Sequence, residues 1–230
     1  TCENTFRIYL NSLNSGAIID DIYVGETPNP VLLHIPDDYD GNLDDVVYEY
    51  KLEEENDDAY STTVPTAAGS YYARIYIPQT AKYEDNEIIT SFNIYKRPAE
   101  ATVSVPDITI GGTISPVVTT ESDGKASTTF MYKLSTEPED LYSDVIPTAA
   151  GTYTIMAIVP ETDTYESTSC TSEFTILKKT LTAEVSVADI NVGSTVTPVV
   201  TTDPEDYNGT ITYEYKLSTA TEYSSTVTTA

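Results

Sequence analysis

The chain has 230 residues, 40% of them hydrophobic, with no Trp, 19 Tyr and 4 Phe. Its 37 acidic and 11 basic residues give a net charge of −26, which excludes nucleic acid, since nothing here could neutralise a run of phosphates, and works equally against an anionic membrane surface. No apolar run is long enough to cross a bilayer or serve as a signal peptide, so no membrane insertion is expected of this segment. Two cysteines, Cys2 and Cys170, make no disulfide framework.

Phe6-x-Ile8 reads as a short strand. Asp21-Ile22 begins a landmark that runs through Gly25, Thr27, Pro30 and Val31, with Gly25 as a turn glycine needing positive φ and Pro30 just before a strand start. His34 lies in an apolar stretch, and an acidic insert spans Pro36 to Asp45. Tyr48-Glu49-Tyr50-Lys51-Leu52 reads as a strand, followed by a second acidic run from Glu53 to Asp58. After Pro65-Thr66-Ala67-Ala68-Gly69 the chain alternates: Tyr71, Ala73, Ile75 and Ile77 share one face, while Tyr72, Arg74 and Tyr76 face the other way. Phe92-x-Ile94 closes the unit at a linker, Lys96-Arg97-Pro98.

Every landmark then returns with a period of 82 to 86 residues. Val103 and Val105 alternate with Thr102 and Ser104. Asp107, Ile108, Gly111, Thr113, Pro116 and Val117 repeat the first landmark. Phe130, Tyr132 and Leu134 alternate with Met131 and Lys133. Pro147-Thr148-Ala149-Ala150-Gly151 leads into Tyr153, Ile155, Ala157 and Val159, and Phe174-x-Ile176 precedes the linker Lys178-Lys179-Thr180. A third copy starts with Asp189, Ile190, Gly193, Thr195, Pro198 and Val199 and reaches Tyr213-Glu214-Tyr215-Lys216-Leu217. Tyr223 to Ala230 register with Tyr142 to Ala149. The spacing of Phe6 to Gly25 equals that of Phe92 to Gly111, so residues 1–12 are expected to be the last strand of a preceding repeat. Residues 13–97 and 98–179 are expected to be two whole repeats, and 180–230 a third that lacks its last two strands. Six or seven short strands per repeat, with Gly/Pro/Asp turns between them, predict all-β architecture: tandem immunoglobulin-like antiparallel β-sandwiches in an extended array. No segment has helical periodicity.

The Ala-Gly-x-Tyr element resembles the tyrosine corner of immunoglobulin-like domains, with Tyr71 and Tyr153 as the matching residues. Ala73 and Ile155 stand where an antibody-type domain carries a Cys, and the strand-C Trp is missing as well. Pro147 through Ile155, Val159-Pro160-Glu161-Thr162-Asp163-Thr164-Tyr165-Glu166 and Glu173 through Lys179 resemble bacterial immunoglobulin-like repeats of the MBG type. That resemblance implies a tandem array in a large secreted or wall-associated, adhesin-like protein, with no catalytic residues to transfer.

The residues that could carry chemistry fall short of a site. The runs Asp37-Asp38-Tyr39-Asp40-Gly41-Asn42-Leu43-Asp44-Asp45 and Asp203-Pro204-Glu205-Asp206-Tyr207-Asn208-Gly209 are dense in carboxylates. They lack the spacing of a Ca²⁺ loop and read as solvated Asx-rich turns, with Ca²⁺ the one cofactor to test. Asp21, Asp107 and Asp189 recur near the repeat junctions and fit either a cation or a turn cap. His34 is the sole histidine, so no zinc set or catalytic triad can be assembled. Cys2 and Cys170 occupy equivalent strands two repeats apart, too distant to pair within a rigid chain. Asn208-Gly209-Thr210 is a glycosylation sequon in a turn. Tyr72, Tyr76 and Tyr95 are the outward tyrosines that could stack on a sugar. No catalytic, cofactor or metal residues are assigned, and the chain is not expected to be an enzyme.

The expected role is a non-catalytic stalk or spacer of a bacterial cell-surface or secreted, adhesin-like protein, presenting another domain away from the cell. Its partners are then the neighbouring repeats of its own chain. Two alternatives stand beside it: an immunoglobulin-like module binding a host glycan or protein, and a subunit of an extracellular filament built from like chains.

Overall fold

A computed structural model describes residues 4–227. Its first unit contains β1 (Gly16–Ile18), β2 (Ile22–Tyr23), β3 (Val31–Leu33), β4 (Val47–Leu52), β5 (Gly69–Ile77) and β6 (Asn86–Tyr95). The second contains β7 (Ala101–Ser104), β8 (Ile108–Thr109), β9 (Val117–Thr120), β10 (Thr129–Leu134), β11 (Gly151–Val159) and β12 (Thr168–Leu177), and β13 (Thr182–Ser186) and β14 (Val199–Asp203) follow. The helical content of the described residues is four short 3-10 turns, at Leu43–Asp45, Asp57–Ala59, Asp123–Ser127 and Glu139–Leu141.

Each of the first two units is an immunoglobulin-like sandwich with one large and one small sheet. The large sheet has the order β2-β6-β5-β4 in the first unit and β8-β12-β11-β10 in the second; the small one is β1-β3 and β7-β9 respectively. All pairings are antiparallel except β2 with β6 and β8 with β12, which are parallel. An isolated bridge, Tyr50 to Ser61 and Tyr132 to Ser143, adds one residue pair to the outer edge of β4 and of β10. Pro30, Pro116 and Pro198 stand immediately before β3, β9 and β14, where no ladder donor is needed. Gly25, Gly111 and Gly193 have φ of 90°, 88° and 87°, as a turn glycine should.

The alternation along the central strands sets the core. Ala73, Ile75 and Ile77 are fully buried, as are Ile155, Ala157 and Val159. At one end of each sandwich a Phe from the last strand lies between two tyrosines. Phe92 stacks on Tyr71 at 5.6 Å and meets the edge of Tyr50 at 6.1 Å. Phe174 does the same with Tyr153 at 5.9 Å and Tyr132 at 6.4 Å. Both phenylalanines are 2% exposed, so each contributes about 2–3 kcal/mol of burial to a small core. The tyrosine corner forms in both units: Tyr71 Oη donates to the Ala67 carbonyl at 3.0 Å and Tyr153 Oη to the Ala149 carbonyl at 3.1 Å.

The acidic insert departs from a purely solvated loop. Tyr39 packs against the cluster of Leu13, Val46, Ile75, Ile77 and Tyr83, and its ring lies 5.9 Å from that of Tyr83. Tyr83 Oη donates to Asp38 Oδ1 at 2.6 Å. One half-buried aromatic therefore ties down a loop whose carboxylates remain exposed.

Beyond residue 177 the packing changes. β13 and β14 pair antiparallel, but no residue from 178 to 227 joins the buried core, and Val185, Val199 and Ile211 are exposed. The expected Tyr213 strand is reduced to an isolated bridge, Tyr215 to Ser224. At the other end, residues 4–10 form no strand, and Phe6 and Ile8 stand 84% and 85% exposed. A strand exists only where a second edge accepts its hydrogen bonds, and beyond that single bridge neither segment has a strand partner among the described residues. Cys2 lies outside the described residues.

Candidate functional site

Asp21 and Asp107 sit where the chain leaves the small sheet for the large one. Asn93 N–H donates to Asp21 Oδ1 at 2.6 Å, and Tyr95 Oη donates to Asp21 Oδ2 at 3.2 Å. Thr175 N–H donates to Asp107 Oδ1 at 2.7 Å. The backbone donor at Asn93, with lesser help from the Asn93 amide and Tyr95 hydroxyl, holds the Asp21 carboxyl below its ordinary range. Of the two roles open to these aspartates, the geometry favours capping: each carboxylate replaces a backbone acceptor lost at the crossover. Asp189 is exposed in the third unit.

The acidic turns do not converge. Among the described residues no three His, Cys, Asp or Glu side chains gather closely enough to hold a metal ion. Asp38 is occupied by Tyr83 and Lys82, Asp40 accepts from Thr80 Oγ1, and Asp206 pairs with Lys179 at 2.9 Å. His34 is exposed, with φ of 60°, at the end of β3; its place is set by backbone geometry rather than by packing. Cys170 lies opposite Ala157, half-buried against the core, and burial raises its thiol pKa. Asn208 is exposed in an irregular turn.

The outward tyrosines behave differently from one another. Tyr72 is half-buried and donates to Glu53 Oε1 at 3.3 Å, whereas Tyr76 and Tyr95 are 39% and 48% exposed. Tyr95 forms a tilted pair with Tyr23, 6.4 Å between centroids. Beside that pair an open groove of about 240 Å³ lies between the first two units, lined by Tyr23, Glu26, Arg97, Pro98, Glu121 and Tyr165.

Two arrangements were not anticipated from sequence. The first is a lysine latch. Lys51 Nζ donates to the Glu55 carbonyl at 2.6 Å and lies over Tyr60, while the Glu55 carboxylate accepts from Leu52 N–H. Lys133, Glu137, Tyr142 and Leu134 reproduce it, and Lys216 lies over Tyr223. The signal was present as Lys-Leu-x-x-Glu, but a lysine alternating outward reads as surface charge. The second is Arg97. Its backbone N–H donates to the Thr164 carbonyl at 2.8 Å, and its carbonyl accepts from Glu166 N–H at 2.9 Å, both in the second unit. Its Nε donates to the Val24 carbonyl of the first unit at 2.8 Å. Lys96 beside it pairs with Glu161. One linker residue thus bonds to both sandwiches.

No protein-family model matches the chain, and no curated protein matches it. Among solved structures, the Sidekick-1 immunoglobulin domains 1–5 are similar to it at 9% identity and a TM-score of 0.21 over 82% of this chain. The chain spans 48% of that structure's length. The immunoglobulin-like assignment therefore rests on the strand order, the parallel closing pair and the tyrosine corner. Among the described residues no helix is long and apolar enough to cross a membrane.

Proposed function

We propose that this segment is a non-catalytic spacer: a stalk of tandem immunoglobulin-like repeats, of the MBG type, in a secreted or cell-surface bacterial protein that presents another domain at a distance. The division into units at 1–12, 13–97, 98–179 and 180–230 belongs to this reading. The observation that carries it is the junction at Arg97. A linker that is itself hydrogen-bonded to both neighbours removes the freedom of a flexible tether. What recurs between units is the core and its closing pair, while the surface diverges: Glu49 and Arg74 form an ion pair at 2.8 Å where the second unit pairs Met131 with Met156. A binding module used in tandem would keep its surface and let its spacing vary.

Small-angle scattering on the full chain tests this. An elongated particle is expected, and the Arg97→Ala variant should broaden its distance distribution. A compact particle with the units folded back on one another would refute the spacer. A second reading, glycan binding, draws on the exposed Tyr23–Tyr95 pair and its groove. A glycan-array signal abolished by Tyr23→Ala would favour it.

A further inference from the structure

The turn after β14 repeats the turn after β3. Asp38-Tyr39-Asp40-Gly41-Asn42 aligns with Asp206-Tyr207-Asn208-Gly209-Thr210, and Pro36 with Pro204. The two turns share their local contacts. Asp38 pairs with Lys82 at 3.8 Å and Asp206 with Lys179 at 2.9 Å. In each, the tyrosine doubles back over the glycine two positions on, so that a Cβ on Gly41 or on Gly209 would overlap the ring hydroxyl. Two positions differ in chemistry. Asn208 stands where the first unit has Asp40, and Thr210 where it has Asn42. Both changes are needed to write Asn-Gly-Thr, the chain's only Asn-x-Ser/Thr sequence.

We propose that Asn208 is the acceptor of an N-linked glycan. The donor is a polyprenyl-diphosphate-linked oligosaccharide, and the catalyst an oligosaccharyltransferase of the exporting cell. Asn208 Nδ2 forms a bond to the anomeric carbon of the first sugar. The bond from that carbon to the diphosphate oxygen breaks, and the lipid diphosphate leaves with its electron pair. One amide proton passes to a base of the transferase. The product carries a bulky, hydrated group on a surface turn.

Presentation of the acceptor decides the case. A transferase that reads an amide and a hydroxyl two positions apart must close around the backbone between them. Asn208, Gly209 and Thr210 are all exposed, within an exposed run from Glu205 to Glu214. The ladder with β13 ends at Asp203, before this run begins. Nor does the exposure come from the open packing of the third unit. Asp40 holds the same place in the first unit and is exposed, although that unit's core is closed around Ile75 and Ile77. The turn after β9 in the second unit is the contrary case. There Asp123 opens a 3-10 turn, Gly124 is buried, and its N–H donates to Ser122 Oγ at 3.1 Å. The same tripeptide written into that turn would be closed to an enzyme.

Access to the transferase rests on the secreted or cell-surface reading, and two measurements separate the fates of the two ideas. The first is the intact mass and peptide map of the full chain recovered from the surface or medium of its own cells. A glycan on Asn208 is expected, lost in Asn208→Gln and Thr210→Val and kept in Thr210→Ser. An exported chain with Asn208 bare, or converted only to Asp, would overturn the proposal. A chain found only inside the cell would overturn the secreted reading, and the acceptor is then judged by the second measurement. That one follows glycan transfer to the purified, folded full chain from a polyprenyl-diphosphate-linked oligosaccharide and a purified oligosaccharyltransferase. Transfer to Asn208 is expected. In an Asn208→Gln background, Asp40→Asn with Asn42→Thr moves the tripeptide to the exposed first-unit turn and should restore transfer. Asp123→Asn with Lys125→Thr moves it to the second-unit turn and should be modified several-fold more slowly, whereas synthetic peptides of the two turns should react at similar rates. No transfer to Asn208, refusal of the first-unit acceptor, or equal rates at the two transplanted turns of the folded chain would overturn the proposal.

Discussion

Tyr153→Phe isolates the tyrosine corner, because it deletes one oxygen and nothing else. The ring stays stacked on Phe174 at 5.9 Å, so the aromatic packing is retained. The loss is the hydrogen bond from Tyr153 Oη to the Ala149 carbonyl at 3.1 Å. Ala149 is exposed, so its carbonyl can return to water, and the cost falls near the middle of the usual range for a net hydrogen bond, about 1 kcal/mol. On a domain of this size about 1 kcal/mol lowers the melting temperature by roughly 4–8 °C. Tyr71→Phe removes the matching bond to Ala67 in the first unit and should cost about the same. The two tyrosines belong to separate cores, so the double variant should show the two losses added. Urea unfolding with calorimetry gives all three values. If both single variants melt with the unaltered protein, the corner holds no net energy, and its recurrence would need another reason than stability.

Gly124 probes close packing in the second unit. A Cβ there would lie 2.7 Å from the Pro160 carbonyl oxygen and 3.2 Å from Ser122 Oγ, which accepts from Gly124 N–H. Gly124→Ala should therefore destabilise that unit by about 1–3 kcal/mol in urea unfolding, and a neutral result would mean the loop shifts freely. Asp21 gives the first unit an acid sensitivity. Its folded pKa is lowered below 3.8, chiefly by the Asn93 N–H, so its contribution is complete above the unfolded value and is lost as pH falls through the folded one. The stability difference between the unaltered protein and Asp21→Asn should hold from neutral pH down to about 4 and shrink below it. A difference independent of pH would assign the effect to shape rather than charge.

Much of this fold could be read from the chain because its signals are local. Alternation at Tyr71, Ala73, Ile75 and Ile77 fixes an inner face, and the glycines and prolines of the landmark place a turn and a strand start within a few residues. The Ala-Ala-Gly-x-Tyr segment carries its own hydrogen bond across four positions. The latch was harder to see, since Lys51 alternates outward and only its reach back to the Glu55 carbonyl buries it. Tyr39 was missed for the same reason: a tyrosine between aspartates gives no sign of the hydrophobic cluster it will meet. The parallel closing register has no local signal at all. Its two segments are separated by nearly the whole unit, and each is a short strand that any sandwich would contain. What the sequence did hold was a constraint on it. Each segment keeps its length from repeat to repeat while the starts of β3 and β4 stand four residues further apart than the starts of β9 and β10. Loop insertions cost little when the closing entropy grows only slowly with length. A change of one residue in either closing segment would instead move every rung, flip the apolar face of a strand and separate Arg97 from Val24. Constancy of length, more than identity of residues, marks the elements on which the geometry of this array depends.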